Sequence, residues 1–162
     1  MENQTYELEI MKETIHKLNE RVASLEDSLN KAAIPIIPSI VPSTILIPFA
    51  GELTPERFQM VIPRILDHAS KDDIDTAIID FTAISVKEVG DLAFLGTYIE
   101  KLNSSLNLMG VEVIAVGFSP EFSRELVQSG LGIIKELKAF ANFRAALQYL
   151  LKKKGLEIAQ VE

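Results

Sequence analysis

The residues best suited to chemistry lie in one stretch near the middle of the chain. Asp80, Glu88 and Asp91, with Glu121 further on, are carboxylates that in principle could pair for acid–base work. Two hydroxyls, Thr82 and Ser85, lie among them, and Ser85 with Glu88 fits S-x-x-E, the pattern of a helix capping box. No nucleophile–base pair accompanies the carboxylates, and neither His16 nor His68 sits in a motif, so the parts of an active site are missing and no enzyme is expected. Cysteine is absent, which excludes disulfides, thiol catalysis and Cys-ligated metals. Two histidines do not furnish a multi-histidine metal site. There is no GxGxxG, GxxxxGK[ST] or GxSxG, and the lack of a phosphate-cradling glycine loop weighs against nucleotide binding. The expectation is a chain without metal or cofactor.

Composition sets wider bounds. The chain has 162 residues, 48% of them hydrophobic and 24% charged, a globular balance that suits one domain with an appendage. Its net charge of −7 argues against non-specific nucleic-acid binding, which needs a basic face. The longest apolar stretch, residues 34–50, is broken by Pro35, Pro38, Pro42 and Pro48, so it is not read as a membrane span. The first ten residues are acidic and lack the basic-then-apolar pattern of a signal peptide. A cytoplasmic protein that uses neither membrane nor nucleic acid is expected.

The elements that must position these residues follow from periodicity. Leu8, Met11, Ile15, Leu18, Val22, Leu25 and Leu29 alternate at spacings of three and four, a heptad seam. Leu8, Ile15, Val22 and Leu29 take the a positions, and Met11, Leu18 and Leu25 take d. In a parallel pair, Glu7 at g meets Lys12 at e of the partner, and Arg21 meets Glu26, so both flanking pairs attract. This predicts an N-terminal coiled-coil helix over residues 1–33 and a homodimer. The competing reading, an amphipathic helix packed on its own domain, normally shows a wider apolar stripe. Pro35 stops the helix.

Residues 34–155 read as an α/β domain and 156–162 as a loose tail. Strands are predicted at Thr44 to Phe49, where Pro48 signals an edge or bulge, at Thr76 to Phe81, at Val111 to Val116, and at Ile133 and Ile134. Helices lie between them. One is capped by Thr54 with Pro55 and carries Pro63 inside it, where a kink is expected; one carries Leu92, Leu95, Ile99, Leu102 and Leu106 on one face; one is capped by Ser119 with Pro120; the last carries Phe143, Leu147, Leu150 and Leu151. Strands alternating with helices imply a parallel or mixed sheet. Gly96, inside the long helix, is a close-packing candidate.

Three pieces in order, IDFT (Ile79 to Thr82), NLMG (Asn107 to Gly110) and VGFSPEFSRELVQSG (Val116 to Gly130), resemble the STAS domain family. They are most similar to the RsbR-type co-antagonists of the bacterial stressosome. The upstream stretch from Lys31 to Arg57 also resembles the entry to that domain. The resemblance implies a mixed sheet with helices and protein–protein switching. The implied partners are RsbS-like STAS scaffold proteins and an RsbT-like serine/threonine kinase, in a cascade that ends at an alternative sigma factor. It implies a variable sensory module ahead of the domain, a place held here by the heptad helix. Two hydroxyl acceptors of the family align with Val89 and Glu125. Valine has no hydroxyl, and Glu125 carries less charge than a phosphate. Ser85 and Thr82 remain as alternative acceptors, Ser85 being equally explained as a cap. Glu88 and Asp91 fall on the implied partner surface. The alternative is a STAS module that binds a small ligand or nucleotide.

Overall fold

The computed structural model describes residues 1–31 and 34–161. The chain divides into two compact units, Met1–Ala33 and Ile34–Glu162, and residues 32 and 33, where the predicted boundary falls, lie outside the described residues. The first unit is one helix, α1 (Glu2–Lys31), about 45 Å long at 1.5 Å per residue. Every seam residue from Leu8 to Leu29 is at least half exposed. On the polar side, Lys17 pairs with Glu13 at 2.9 Å and His16 with Glu20 at 3.3 Å, one turn apart in each case.

The second unit is built on a five-stranded sheet in the order β1 (Ile37–Pro38), β2 (Thr44–Ala50), β3 (Thr76–Ala83), β4 (Glu112–Val116) and β5 (Lys138–Phe140). Only the β1–β2 pair is antiparallel; the rest of the sheet is parallel. Between the parallel strands run α2 (Pro55–Lys71), α3 (Leu92–Leu108), then α4 (Pro120–Gln128) with the single turn α5 (Ile133–Glu136). The chain closes with α6 (Phe143–Lys153). Pro48 lies beyond the two residues of β2 that β1 pairs, and the β2–β3 register shifts between Pro48 and Ala50. The missing N–H thus falls where the ladder is already broken.

The topology dictates how the core divides. Each parallel strand sits beside the one before it, and crossovers of one hand that advance in one direction all lie on the same face. The larger cluster accordingly joins Ile45, Ile47 and Phe49 of β2, Ile79 and Phe81 of β3, and Val113 of β4 to Phe58, Ile65, Leu95, Leu102, Phe122 and others from α2, α3 and α4. The smaller cluster, on the opposite face, packs Ile78, Ile114 and Val116 against Ala146 and Leu150 of α6, with Val41. With both faces covered, β3 reads as a near-continuous apolar run.

Local signals account for the helix ends. Thr54 caps α2 through Arg57 N–H at 3.3 Å, and Ser119 caps α4 through Phe122 N–H at 3.1 Å. α2 runs through Pro63 without ending. Gly96 does serve close packing: a Cβ there would lie 2.6 Å from Leu131 Cδ1. The strand predicted at Ile133 and Ile134 is corrected to a helical turn, with β5 starting at Lys138. Two adjacent apolar residues carry no period of their own, and here the Gly132 carbonyl accepts the Lys135 N–H to close a turn before pairing with β4 can begin.

Candidate functional site

The carboxyl ends of β2, β3 and β4 meet in one rim, the place where open parallel sheets present ligands and partners. Its centre is the end of β3. The Asp80 carboxylate accepts the backbone N–H of Thr82 at 2.8 Å and the Thr82 hydroxyl as well. Both side chains point to the face of the sheet that α6 covers, since even-numbered positions of β3 face that way. The β4–α4 loop then closes over them. Gly117 there has φ of +82°, and a Cβ on it would sit 2.6 Å from Thr82 N and 2.7 Å from Asp80 Oδ1. Only a residue without a side chain lets this loop approach. Its neighbour Phe118 anchors the loop from below, stacking on Phe81 with ring centroids 4.7 Å apart.

The β3–α3 connection forms the second part. Ser85 opens a single 3-10 turn, Val86–Glu88, and the Glu88 carboxylate takes the Ser85 N–H at 2.7 Å together with the Ser85 hydroxyl. Those hydrogen bonds from the Ser85 side chain and backbone hold the Glu88 carboxyl below its ordinary range. The turn is tied to the β2–α2 loop, because Leu53 N–H donates to the Glu88 carbonyl at 3.0 Å. Arg57 fastens that loop in turn, its guanidinium donating to the Ala50 and Glu52 carbonyls at 2.7 Å each. The long helix does not continue from this turn. Val89 is extended, and α3 starts only after Asp91, whose carboxylate caps it through Ala93 N–H at 2.9 Å.

The positions singled out in the sequence therefore fall in different settings. Thr82, Ser85 and Asp91 are exposed on the rim and Glu88 is partly so. Val89 is buried, 4% exposed, in the larger core. Glu125 is exposed on α4, which packs against the 3-10 turn. The seam residues of α1 belong to the other unit. Sequence reasoning missed Gly117, Phe118, Leu53 and Arg57. The signal for Gly117 was its place directly after a buried strand; nothing in the sequence tells that its neighbour would be Thr82. Chemically, the rim offers hydroxyls held by carboxylates on a well-anchored surface. Among the described residues no group of acidic or histidine side chains is placed to hold a metal ion, and no helix is long and apolar enough to cross a membrane.

Comparison with known proteins places this geometry. No protein-family model matches the chain. Among curated proteins it is 28% identical over 107 residues to the RsbT co-antagonist protein RsbRB of Bacillus subtilis, which covers 66% of this chain and 37% of that one. It is 22% identical over 156 residues to the RsbT co-antagonist protein RsbRD of the same organism, covering 94% of this chain and 52% of the other. A blue-light photoreceptor of Listeria monocytogenes is 28% identical over 128 residues, or 77% of this chain and 48% of that one. The chain thus spans about half the length, or less, of the curated relatives it matches. Among solved structures, an RsbS variant from Moorella thermoacetica superposes with a TM-score of 0.61 at 17% identity, covering 76% of this chain and 98% of that one. A chain of the stressosome superposes with a TM-score of 0.58 at 15% identity, covering 74% and 98%. The anti-sigma factor antagonist SpoIIAA in its unphosphorylated form gives 0.56 at 17% identity, covering 78% and 100%. The fold of the second unit is that of the STAS domains.

Proposed function

We propose that this STAS-domain protein, a relative of the RsbT co-antagonists, regulates an RsbT-like serine/threonine kinase by binding it together with RsbS-like STAS scaffold proteins in the cytoplasm, in a partner-switching stress cascade, and itself catalyses no reaction. The observation that carries this reading is the rim, where three loops are locked to one another by Gly117, Phe118, Leu53 and Arg57 around exposed hydroxyls. A preorganised surface of this kind suits docking, which loses less entropy when the loops are already fixed.

The acceptor-equivalent positions shape the regulation. Val89 has no hydroxyl and is buried, and Glu125 presents a standing negative charge. The remaining hydroxyls are both on exposed residues and both donate to a carboxylate, Thr82 to Asp80 beside Gly117 and Ser85 to Glu88 in the 3-10 turn, whose opening Ser85 forms. A phosphate on Ser85 would remove the proton donated to Glu88 and set roughly −1.5 to −2 charges against that carboxylate. The turn, and through Leu53 the neighbouring loop, would then give way. Glu88 and Asp91 lie where a partner would read the change.

The helix α1 supports a parallel homodimer. Its apolar seam lies open from Leu8 to Leu29, and most helices owe their stability to burying such a face. The two readings are tested separately. Incubation with an RsbT-like kinase and an RsbS-like scaffold should give a ternary complex on a sizing column, with phosphate on Ser85 that Ser85→Ala abolishes and Thr82→Ala does not. A chain that retains neither protein sinks the proposal. Because the chain lacks cysteine, Leu25→Cys should oxidise to a covalent dimer while Glu20→Cys, on the outer face, does not. The seam is centred near Leu18, so an antiparallel pair would leave Leu25→Cys unlinked.

A further inference from the structure

The larger core is not filled where it meets the β5 edge of the sheet. A cavity of about 170 Å³ lies there between α3, α4 and β5, walled by Ile99, Phe118, Leu126 and Leu137. Voids larger than a water molecule are few in a folded domain. This one has its origin in the sequence. Ala139 pairs with the fully buried Ala115 and so faces the same side of the sheet, yet it stays exposed. On α3 the wall is Gly96, which has no side chain to project. Neighbouring elements thus present their smallest residues to one space. Val127, 68% exposed, marks the side open to solvent. Ser123 brings the single polar side chain among the described lining residues, and none of them is charged.

We propose that this cavity binds a small neutral apolar molecule, the size of benzene or cresol, and that the guest stiffens the rim. Apolar cavities of about 150 Å³ admit a benzene-sized guest. The volume here is slightly larger, and Ser123 can hydrogen-bond a single hydroxyl. A charged guest would give up its hydration and find no partner. The coupling follows from what the walls also do. Phe118 lines the cavity and stacks on Phe81, the contact that holds the Gly117 loop over Thr82. Ser123, Leu126 and Val127 belong to α4, which packs against the 3-10 turn that Ser85 opens. A guest touching both takes freedom from two supports of the rim. The binding concerns the domain alone and does not rest on the kinase partnership.

The experiment titrates the full chain with p-cresol and with benzoate, a ring of similar size that carries a charge. Calorimetry should give a Kd below about 1 mM for p-cresol, with benzoate at least about tenfold weaker. At a p-cresol concentration of about ten times Kd, the unfolding midpoint should rise by about 2 °C or more. Amide exchange should slow at least about threefold at Phe118 and through α4, and by less in α6, which packs on the other face of the sheet. Ala139→Leu fills the cavity from an exposed position, and Ser123→Leu fills it from α4. Either variant that keeps its circular dichroism spectrum should bind p-cresol at least about tenfold more weakly. No p-cresol binding below about 5 mM, equal binding of benzoate, or binding indifferent to both substitutions overturns the site. Binding without slower exchange at Phe118 and in α4 overturns the coupling to the rim. A chain that retains neither kinase nor scaffold would sink the proposed function and leave every one of these measurements standing.

Discussion

Gly117 concentrates the geometry of the rim in one position. Its left-handed backbone and the closeness of Thr82 and Asp80 leave no room for a methyl group. Gly117→Ala should destabilise the domain by at least about 2 kcal/mol, combining backbone strain with overpacking. Urea unfolding measures this, and Gly110→Ala, with positive φ but open space around it, should cost less. This residue also marks the limit of what the sequence tells. The Ser85–Glu88 pairing was legible because both partners lie within one turn and the S-x-x-E pattern has a local mechanism. The burial of Val89 was not anticipated: it stands outside the periodic stripe of α3. Gly117 could be recognised only as a turn, because its partner lies on a strand 35 positions earlier and the meeting is set by the register of β3 with β4.

At the level of elements, the strands and helices of the second unit were legible wherever period and caps agreed. α2 and α4 began at their predicted Thr-Pro and Ser-Pro signals. One element was misread in type, the turn at Ile133. There a glycine sits nearby and the short segment lacks the length over which periodicity speaks. The end of α6 depends on a contact no local pattern announces. Lys154 Nζ donates to the Pro42 carbonyl at 2.6 Å and to Asp75 at 2.8 and 3.0 Å, fastening the helix to the β1–β2 turn. Lys154→Ala should cost about 1 kcal/mol, the partly exposed ion pair being discounted for screening. Amide hydrogen exchange should quicken in α6 before it does in α3.

Across the whole molecule, the two ends of the sheet do different work. The carboxyl ends carry the rim, while the amino ends carry ion pairs. Glu112, at the start of β4, is bonded by Lys138 at 2.7 Å and Lys153 at 2.6 Å. Partial burial pushes the Glu112 carboxyl up, but the two ammonium groups outweigh it and leave it below its usual range. Asp75 behaves alike, burial being outweighed by Lys154 and the Thr76 hydroxyl. Carboxyls depressed in the folded state contribute stability above their unfolded value, about 4, and that contribution is lost as pH falls through the lower folded value. Stability should therefore drop on acidification below about pH 4–5, and Glu112→Gln should flatten that drop while lowering stability at neutral pH. Thermal unfolding between pH 3 and 7, on the scale of roughly these values, reads both.

The neighbour-by-neighbour order of β2 to β5 bears on how the chain is made. A ribosome releases residues from the front, so each strand emerges beside a lane already laid, and three connecting helices can settle before the end of the message is read. The underside, with Ile78, Ile114 and Val116, stays bare until α6 leaves the exit tunnel. Nascent chains stalled before Phe143 should accordingly be held by chaperones and exposed to proteases, and those released past Lys154 should not.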